Sequence, residues 1–515
     1  MTRMRTALVL PLLAILTVPV SAFAQALPNV NLTRVLYNTR KATVNPQGEL
    51  KVQVDAVDAA IAEATKHGQT GEMRRQIARG LALLDGRAWT PALDFQHSLV
   101  LRSERTVIDA SAPYAVRLEQ IYRPAIELTP ALSVEMRLRR RSAAPGPPVL
   151  ETVRELGTFD GMSRDLRESP FPVDVTVAAV PDGAYVLEAE MRDGATSLAT
   201  TSLPVMLLTG LDARLRALET AATSAPAAVR ADLSYPGDFI RKVNRGGVGL
   251  GTFDVGAELT AAEAIATAAK RGTDPFAGRT GDFERHYVLE GANEVMPYRV
   301  YVPTAYQAAR PTPLVVALHG LGATEDSFFD SYARVAPKLA EAHGFLLVAP
   351  LGYRVDGFYG SPLMGASDAA ARRRTEYSEK DVLEVLARMK AHYNVDASRI
   401  YLIGHSMGAI GTWALADKYP DMWAALAAFS GVGSPLSALK IKAIPQFVVH
   451  GDADPTVNVS GSRAMVTALK IAGATVTYIE VPGGTHTDVV VPHLPKAFAF
   501  LAGQKKAPTT STQPR

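Results

Sequence analysis

Over the C-terminal half of the chain, apolar residues gather into short, nearly continuous runs separated by stretches of helical period. Residues 314–318, 345–349, 399–404, 424–429, 446–450 and 475–481 are such runs. Strands covered on both faces have this composition, so the pattern predicts an α/β domain over 281–503, a mostly parallel sheet with helices on both sides. Two earlier runs, 284–289 and 298–302, predict an opening antiparallel hairpin. Open sheets of this kind bind ligands beyond the carboxyl ends of their strands. The chemistry is therefore expected in the loops that follow those runs.

The N-terminal half has a different rhythm. Val54, Val57, Ala60, Ile61 and Ala64 recur at helical spacing, and 73–84 repeats the pattern after the His67-Gly68 break, so 25–94 is expected to be a helical segment. From about Asp94 the period becomes two. Leu99 and Leu101 alternate with Val100 and Arg102, 133–138 and 171–180 behave similarly, and 185–191 with 197–208 flank an Asp193-Gly194 turn. Short strands without helices predict a small β-sandwich, immunoglobulin-like in outline, over 95–208, with 143–148 as a loop inside it. Residues 209–280 are expected to be a connector of short helices and loops, and the polar tail 504–515 to be disordered.

Composition changes this picture in three places. The first residues combine Arg3 and Arg5 with an apolar stretch from Ala7 to Val20 and an Ala22-Phe23-Ala24 motif, the pattern of a secretory signal peptide over 1–24. Pro11 and Pro19 interrupt the stretch, and it is short for a membrane span, so no stable span is expected in the mature chain and the protein is placed in the periplasm or outside the cell. There is no cysteine, which excludes disulfides, thiolate metal sites and cysteine nucleophiles. The net charge is +3 and the short basic runs 139–141 and 372–374 suit solvated strand ends or loops, so no nucleic-acid partner is implied.

The strongest chemical signal is Gly404-His405-Ser406-Met407-Gly408, between a strand run and an apolar helix. A nucleophile elbow needs this context: the serine projects from a strained turn, and small residues two places either side let strand and helix approach. A serine hydroxyl needs a base. His486 lies on the Gly-rich loop after the last strand run and is favoured over His493, while His319, His405 and His450 suit packing or loop hydrogen bonds. An acid must then fix the imidazole. Asp454, further out on the loop after 446–450, is favoured over Asp452, which could instead pin the loop backbone. The order Ser406, Asp454, His486 is the order of an α/β-hydrolase. Backbone N–H groups of Met407 and Leu321 are expected to form the oxyanion hole, with Gly320 or Gly322 as neighbours of the second donor. Tyr353, Phe358 and Tyr359, with Leu363 and Met364, form either an apolar substrate wall or the packing of a long loop. Ser378 and Asp381 read as an N-cap for the helix after it.

At these residues a resemblance is plain. The run 394–408, then Pro420-Asp421-Met422-Trp423-Ala424-Ala425, Ser430-Gly431 and His450-Gly451-Asp452-Ala453-Asp454-Pro455-Thr456-Val457, resembles secreted esterases and peptidases related to polyhydroxybutyrate depolymerases and feruloyl esterases. The resemblance covers roughly 284–503 and implies that the second aspartate of the acid loop is the triad member. Ala409 stands where many relatives have glycine, and Asn458 where proline is usual. The implied activity is carboxylic ester hydrolysis through an acyl-enzyme, on a small-molecule or polymeric ester, with no cofactor and no metal. A serine peptidase of the same fold and a non-catalytic polymer- or protein-binding role are the competing readings; a peptidase of this fold usually carries a larger gating domain, and no propeller repeat is present.

Overall fold

The structure is a computed structural model, and it describes residues 30–103, 105–110, 114–126, 132–142, 149–163, 165–177, 180–244, 253–364 and 368–506. The expected signal segment, the expected 143–148 loop and the tail beyond Lys506 lie outside them. No described helix is long and apolar enough to cross a membrane. The chain divides into two compact units, the first holding the residues up to Ala217 and Phe239–Ala261, the second Leu218–Asp238 and the residues from Ala262 onward.

In the first unit, helices Val30–Val44, Gly48–Lys66 and Thr70–Leu84 bury Tyr37, Val54, Val57, Ile61 and Ile77 in a core of their own. A fourth helix, Pro91–Ser98, starts on a Thr90 side-chain cap with proline at its first turn. Its Asp94 takes a two-pronged ion pair from Arg75, at 2.7 Å for both bonds.

Eight strands follow: β1 (Leu99–Ser103), β2 (Val107–Asp109), β3 (Tyr114–Gln120), β4 (Leu132–Arg141), β5 (Leu150–Asp160), β6 (Phe171–Val175), β7 (Gly183–Asp193) and β8 (Thr196–Leu208). They form two sheets, β1-β3-β6 and β2-β8-β7-β4-β5. Alternate residues face inward, as in β4 where Leu132, Val134, Met136 and Leu138 are buried. Both sheets feed one core, in which Leu101, Val116 and Val173 of the first meet Val134, Leu187 and Leu203 of the second. β2, β3 and β5 were not anticipated. β5 lies at a sheet edge with no buried residue, so it has no apolar rhythm to detect.

The stretch expected to be short helices and loops contains Leu211–Ser224, Ala227–Asn244 and Val255–Lys270, helices of 14, 18 and 16 residues.

The second unit is built on β9 (Gly281–Leu289), β10 (Glu294–Val302), β11 (Thr312–Leu318), β12 (Leu346–Pro350), β13 (Val395–His405), β14 (Ala425–Phe429), β15 (Gln446–Gly451) and β16 (Val476–Val481). They form a mixed eight-stranded sheet in the order β16-β15-β14-β13-β11-β12-β10-β9. β9, β10 and β12 pair antiparallel, and the remaining neighbours are parallel. Every residue of β11, β12, β14 and β15 is buried, as strands covered on both faces require. From β11 the chain moves outward to β12, then crosses back to β13 on the other side. That reversal opens a crevice between the carboxyl ends of β11 and β13.

Candidate functional site

The crevice is where β13 ends. Ser406 follows it with φ 56° and ψ −119°, and the helix Met407–Lys418 begins at the next residue. A non-glycine residue there costs on the order of 1–3 kcal/mol, so its surroundings must enforce it. The Ser406 N–H donates to Phe429 O at 2.9 Å, and the Ile410 N–H to Ser406 O at 3.1 Å. Close approach supplies the rest: a Cβ on Gly408 would stand 1.9 Å from Leu318 O, and one on Gly404 2.2 Å from Gly408. The serine is 8% exposed. Met407 opens the helix, where backbone N–H groups lack intrahelical partners and the dipole is positive.

Two loops after neighbouring strands bring Asp454 and His486 together. His486 Nδ1 lies 2.7 Å from Asp454 Oδ2, and the Asp454 side chain is fully buried. Asp454 Oδ1 accepts the N–H groups of Thr456 and Val457 at 2.8 and 2.9 Å, which aims the carboxylate. His450 Nε2 approaches the same Oδ2 at 3.1 Å. Burial alone would raise this carboxyl, but hydrogen bonds from His450 and His486 hold it well below the usual carboxylate range. Asp452 has a separate task. Its Oδ1 accepts the Gly483 N–H at 2.6 Å, and the next N–H, of Ala453, donates to Gly484 O at 3.1 Å. The acid loop and the base loop are thereby fastened to each other. His493 lies elsewhere, with Nδ1 2.9 Å from Val489 O in its own helix.

His405, the residue before Ser406 in the chain, contacts His486. His405 Nε2 is 2.9 Å from His486 O, and the two imidazole rings are 4.9 Å apart. Because Nε2 faces a carbonyl, it carries the proton, and Nδ1 accepts from the Tyr332 hydroxyl at 2.8 Å. Burial pushes His405 down to about 3, so it stays neutral in this pairing. Tyr332 comes from a turn in which Tyr332, Ala333 and Arg334 all have positive φ, 48°, 55° and 54°. No hydrogen bond joins the Ser406 hydroxyl to the His486 ring; such bonds are often long until substrate tightens them.

The loop after β11 closes the other side. A Cβ on Gly320 would stand 3.4 Å from the Ser406 Cβ, which puts this loop against the elbow. The Gly322 N–H is committed to Val355 O at 2.8 Å, which leaves the N–H groups of Gly320 and Leu321 without an acceptor among the described residues. His319 bridges Gly320 O at 2.8 Å and Leu351 O at 2.7 Å.

The expected aromatic wall separates into three fates. Tyr359 is fully buried: its ring fills the space a Gly411 side chain would take, and its hydroxyl donates to His319 O at 3.2 Å. This corrects the expectation of a substrate contact, because the ring is wedged under the elbow helix. Tyr353 is half-buried, its hydroxyl donating to Glu294 at 3.2 Å and its ring packed edge-on against Tyr377. Phe358 is half-buried, with φ 56°. The expected cap is also corrected. The helix runs unbroken over Ala369–His392 and is capped by Asp368, which accepts the Ala371 N–H at 2.8 Å. Ser378 and Asp381 sit inside it and hold the preceding loop: Ser378 Oγ accepts the Tyr359 N–H at 2.9 Å, and Asp381 accepts the Tyr353 N–H at 2.7 Å and the Tyr287 hydroxyl at 2.6 Å. Burial pushes Asp381 up to about 6.

A mixed sheet with helices on both faces and chemistry-bearing loops at its carboxyl end is a hydrolase-type α/β architecture. Residues 290–509 match the Esterase family model, described as "Putative esterase". Among curated proteins, feruloyl esterase B of Neurospora crassa is 34% identical over 154 residues, covering 28% of this chain and 48% of that protein. Acetylxylan esterase A of Aspergillus oryzae is 28% identical over 135 residues, covering 26% and 41%. The chain thus spans about half or less of the curated relatives it matches. A ferulic acid esterase of Anaeromyces mucronatus, solved with ferulic acid, is 18% identical, covering 43% of this chain and 90% of that one, with a TM-score of 0.36.

Proposed function

We propose that the chain is an exported serine hydrolase that cleaves carboxylic esters through an acyl-enzyme on Ser406. The observation that carries this reading is the 2.7 Å contact of His486 with the buried, donor-saturated Asp454, on loops that meet beside the strained Ser406 turn. Asp454 holds the His486 tautomer with Nδ1 protonated, so Nε2 takes the serine proton as Oγ attacks the ester carbonyl. The N–H groups of Met407 and Leu321 receive the oxyanion. The protonated imidazole returns its proton to the departing alcohol, and water then attacks the acyl-serine under the same base. His405 and Tyr332 are positioning residues, because His405 holds the carbonyl of His486 and Tyr332 holds His405. Feruloyl and acetyl esters are the first substrates to examine, since the relatives are named for them. The β1–β8 sheets are proposed to form an immunoglobulin-like domain over 95–208, preceded by a helical segment over 25–94.

Labelling by a fluorophosphonate probe tests the nucleophile: the wild-type protein is expected to label and Ser406→Ala to remain unlabelled. Labelling that persists in the variant rejects Ser406. A panel of p-nitrophenyl, feruloyl and acetyl esters set against aminoacyl anilides tests the reaction class, and faster anilide turnover would replace the esterase with a peptidase.

A further inference from the structure

The loop after β11 carries a second cluster that ester hydrolysis does not use. Glu325 and Asp326 on this loop and Glu284 on β9 each bring a carboxylate oxygen to within 4.8 Å of the others. Glu325 is 5% exposed, and its Oε2 is buried with no hydrogen-bond partner. The flanking carboxylates are each held from outside by a base. Arg299 Nη1 donates to Asp326 Oδ1 at 2.7 Å, and His286 Nε2 lies 3.0 Å from Glu284 Oε1. The other His286 nitrogen is engaged by Asp232 at 3.2 Å. Among the described residues, therefore, no base pairs with Glu325, and the donors that face one another are carboxylate oxygens.

A buried carboxylate oxygen without a donor is costly, and two like charges beside it add to the cost. Burial, then the charges of Glu284 and Asp326, push the Glu325 carboxyl well up, against a smaller opposing pull from its own backbone N–H and from His286. A proton or a cation can supply the balancing positive charge. Three carboxylates converging from two separate elements favour the cation, because one proton can bridge only two of them. Hard oxygen donors select Ca²⁺, Mg²⁺ or Mn²⁺ over softer metals. Two oxygens bound to one Ca²⁺ at about 2.3–2.6 Å lie at most roughly 5 Å apart, and this cluster falls within that span.

We propose that Glu284, Glu325 and Asp326 bind a divalent cation, Ca²⁺ in the first instance, which ties the loop after β11 to the edge strand β9. Three protein oxygens leave coordination positions for water, so the affinity belongs with the weak extracellular class, with Kd of about 10⁻⁴–10⁻³ M. The same loop carries Leu321, four residues before Glu325. An effect of the cation on turnover through that residue rests on the esterase reading, whereas the binding does not.

The test uses the full-length protein, stripped with EDTA and titrated calorimetrically with CaCl₂ and, in parallel, MgCl₂ and MnCl₂, with thermal melting under each condition. Saturable binding is expected, with a Tm rise of several degrees at millimolar Ca²⁺. In Glu325→Gln both effects should disappear, with Glu284→Gln as the second variant should the first not fold. Ser406→Ala should bind as the wild type does, which separates failure of the site from failure of the esterase reading. Absence of heat and of any Tm change with all three cations overturns the proposal. So does an undiminished response in Glu325→Gln, or a wild-type protein indifferent to cations whose Glu325→Gln variant is the more stable, which would mean a proton fills the site.

Discussion

Asp454 and Asp381 are both buried aspartates that hold a loop of the same crevice, yet their charge states are driven in opposite directions. Asp454 is met by two imidazoles and two backbone N–H groups, and is held well below the carboxylate range. Asp381 is met by a phenol and a backbone N–H, and burial takes it up to about 6. Both side chains are shielded from solvent, but Asp381 lies deeper, so burial and donors act together to separate them. Neutral donors orient a carboxylate without offsetting its desolvation, whereas imidazoles that can carry charge stabilise the anion itself. The first arrangement suits an acid that must face a protonated base during turnover, the second a structural peg.

The comparison can be broken by exchanging the roles. Asp454→Ala should lower kcat by about 10³–10⁴-fold while the protein remains folded, measured on a p-nitrophenyl ester alongside circular dichroism. Asp452→Ala should cost far less. The reverse order of damage would move the acid to Asp452. Asp381→Ala should instead appear in stability, with roughly 2–4 kcal/mol lost in urea unfolding, because it strands the Tyr287 hydroxyl and the Tyr353 N–H. Its fluorophosphonate labelling should survive.

The pH dependence sharpens the same contrast. The raised Asp381 value means that its favourable contribution is full below about pH 4 and is lost as pH rises through about 6. The depressed Asp454 value has the opposite sign: its contribution is present above about pH 4 and is lost on acidification. Between pH 4 and 6.5, wild-type stability should therefore fall by a few kcal/mol relative to Asp381→Asn, and a parallel course of the two would remove the distinction. A smaller effect is expected at His405. His405→Ala should reduce kcat about tenfold with KM little changed, because the His486 carbonyl loses its donor while the substrate contacts remain. A change confined to KM would argue against a positioning role.

How much of this was legible in the sequence followed from how local each signal is. The buried strands β11, β12, β14 and β15 declare themselves as apolar runs, and Ser406, Asp454 and His486 were singled out because each follows such a run. Asp381 was misread as a cap because Ser378 and Asp381 have cap-like spacing. The true cap, Asp368, opens the helix ten residues earlier, ahead of Ala369-Ala370-Ala371, which are strong helix formers. For Tyr359 the sequence allows either a pocket wall or loop packing, since an aromatic in a loop suits both roles. The deciding feature was Gly411, a glycine inside a helix whose missing side chain makes the slot for the ring. Glu284 and Glu325 lie some forty positions apart on an edge strand and a loop, and no periodicity connects them. The second histidine on the acid, His450, was assigned only to packing and loop hydrogen bonds, because its partner becomes visible only when the loop folds back over β15.

The turn that presents Tyr332 to His405 has one further consequence. Three consecutive side-chain-bearing residues in left-handed conformation are held by tertiary contacts against their own preference, at about 1 kcal/mol or more apiece. Only the first of the three contributes a group to the imidazole chain. Ala333 is therefore a position where a protein engineer could relax the backbone without touching the reaction: Ala333→Gly should hold thermal tolerance or raise it by a degree or two, leaving turnover as it was.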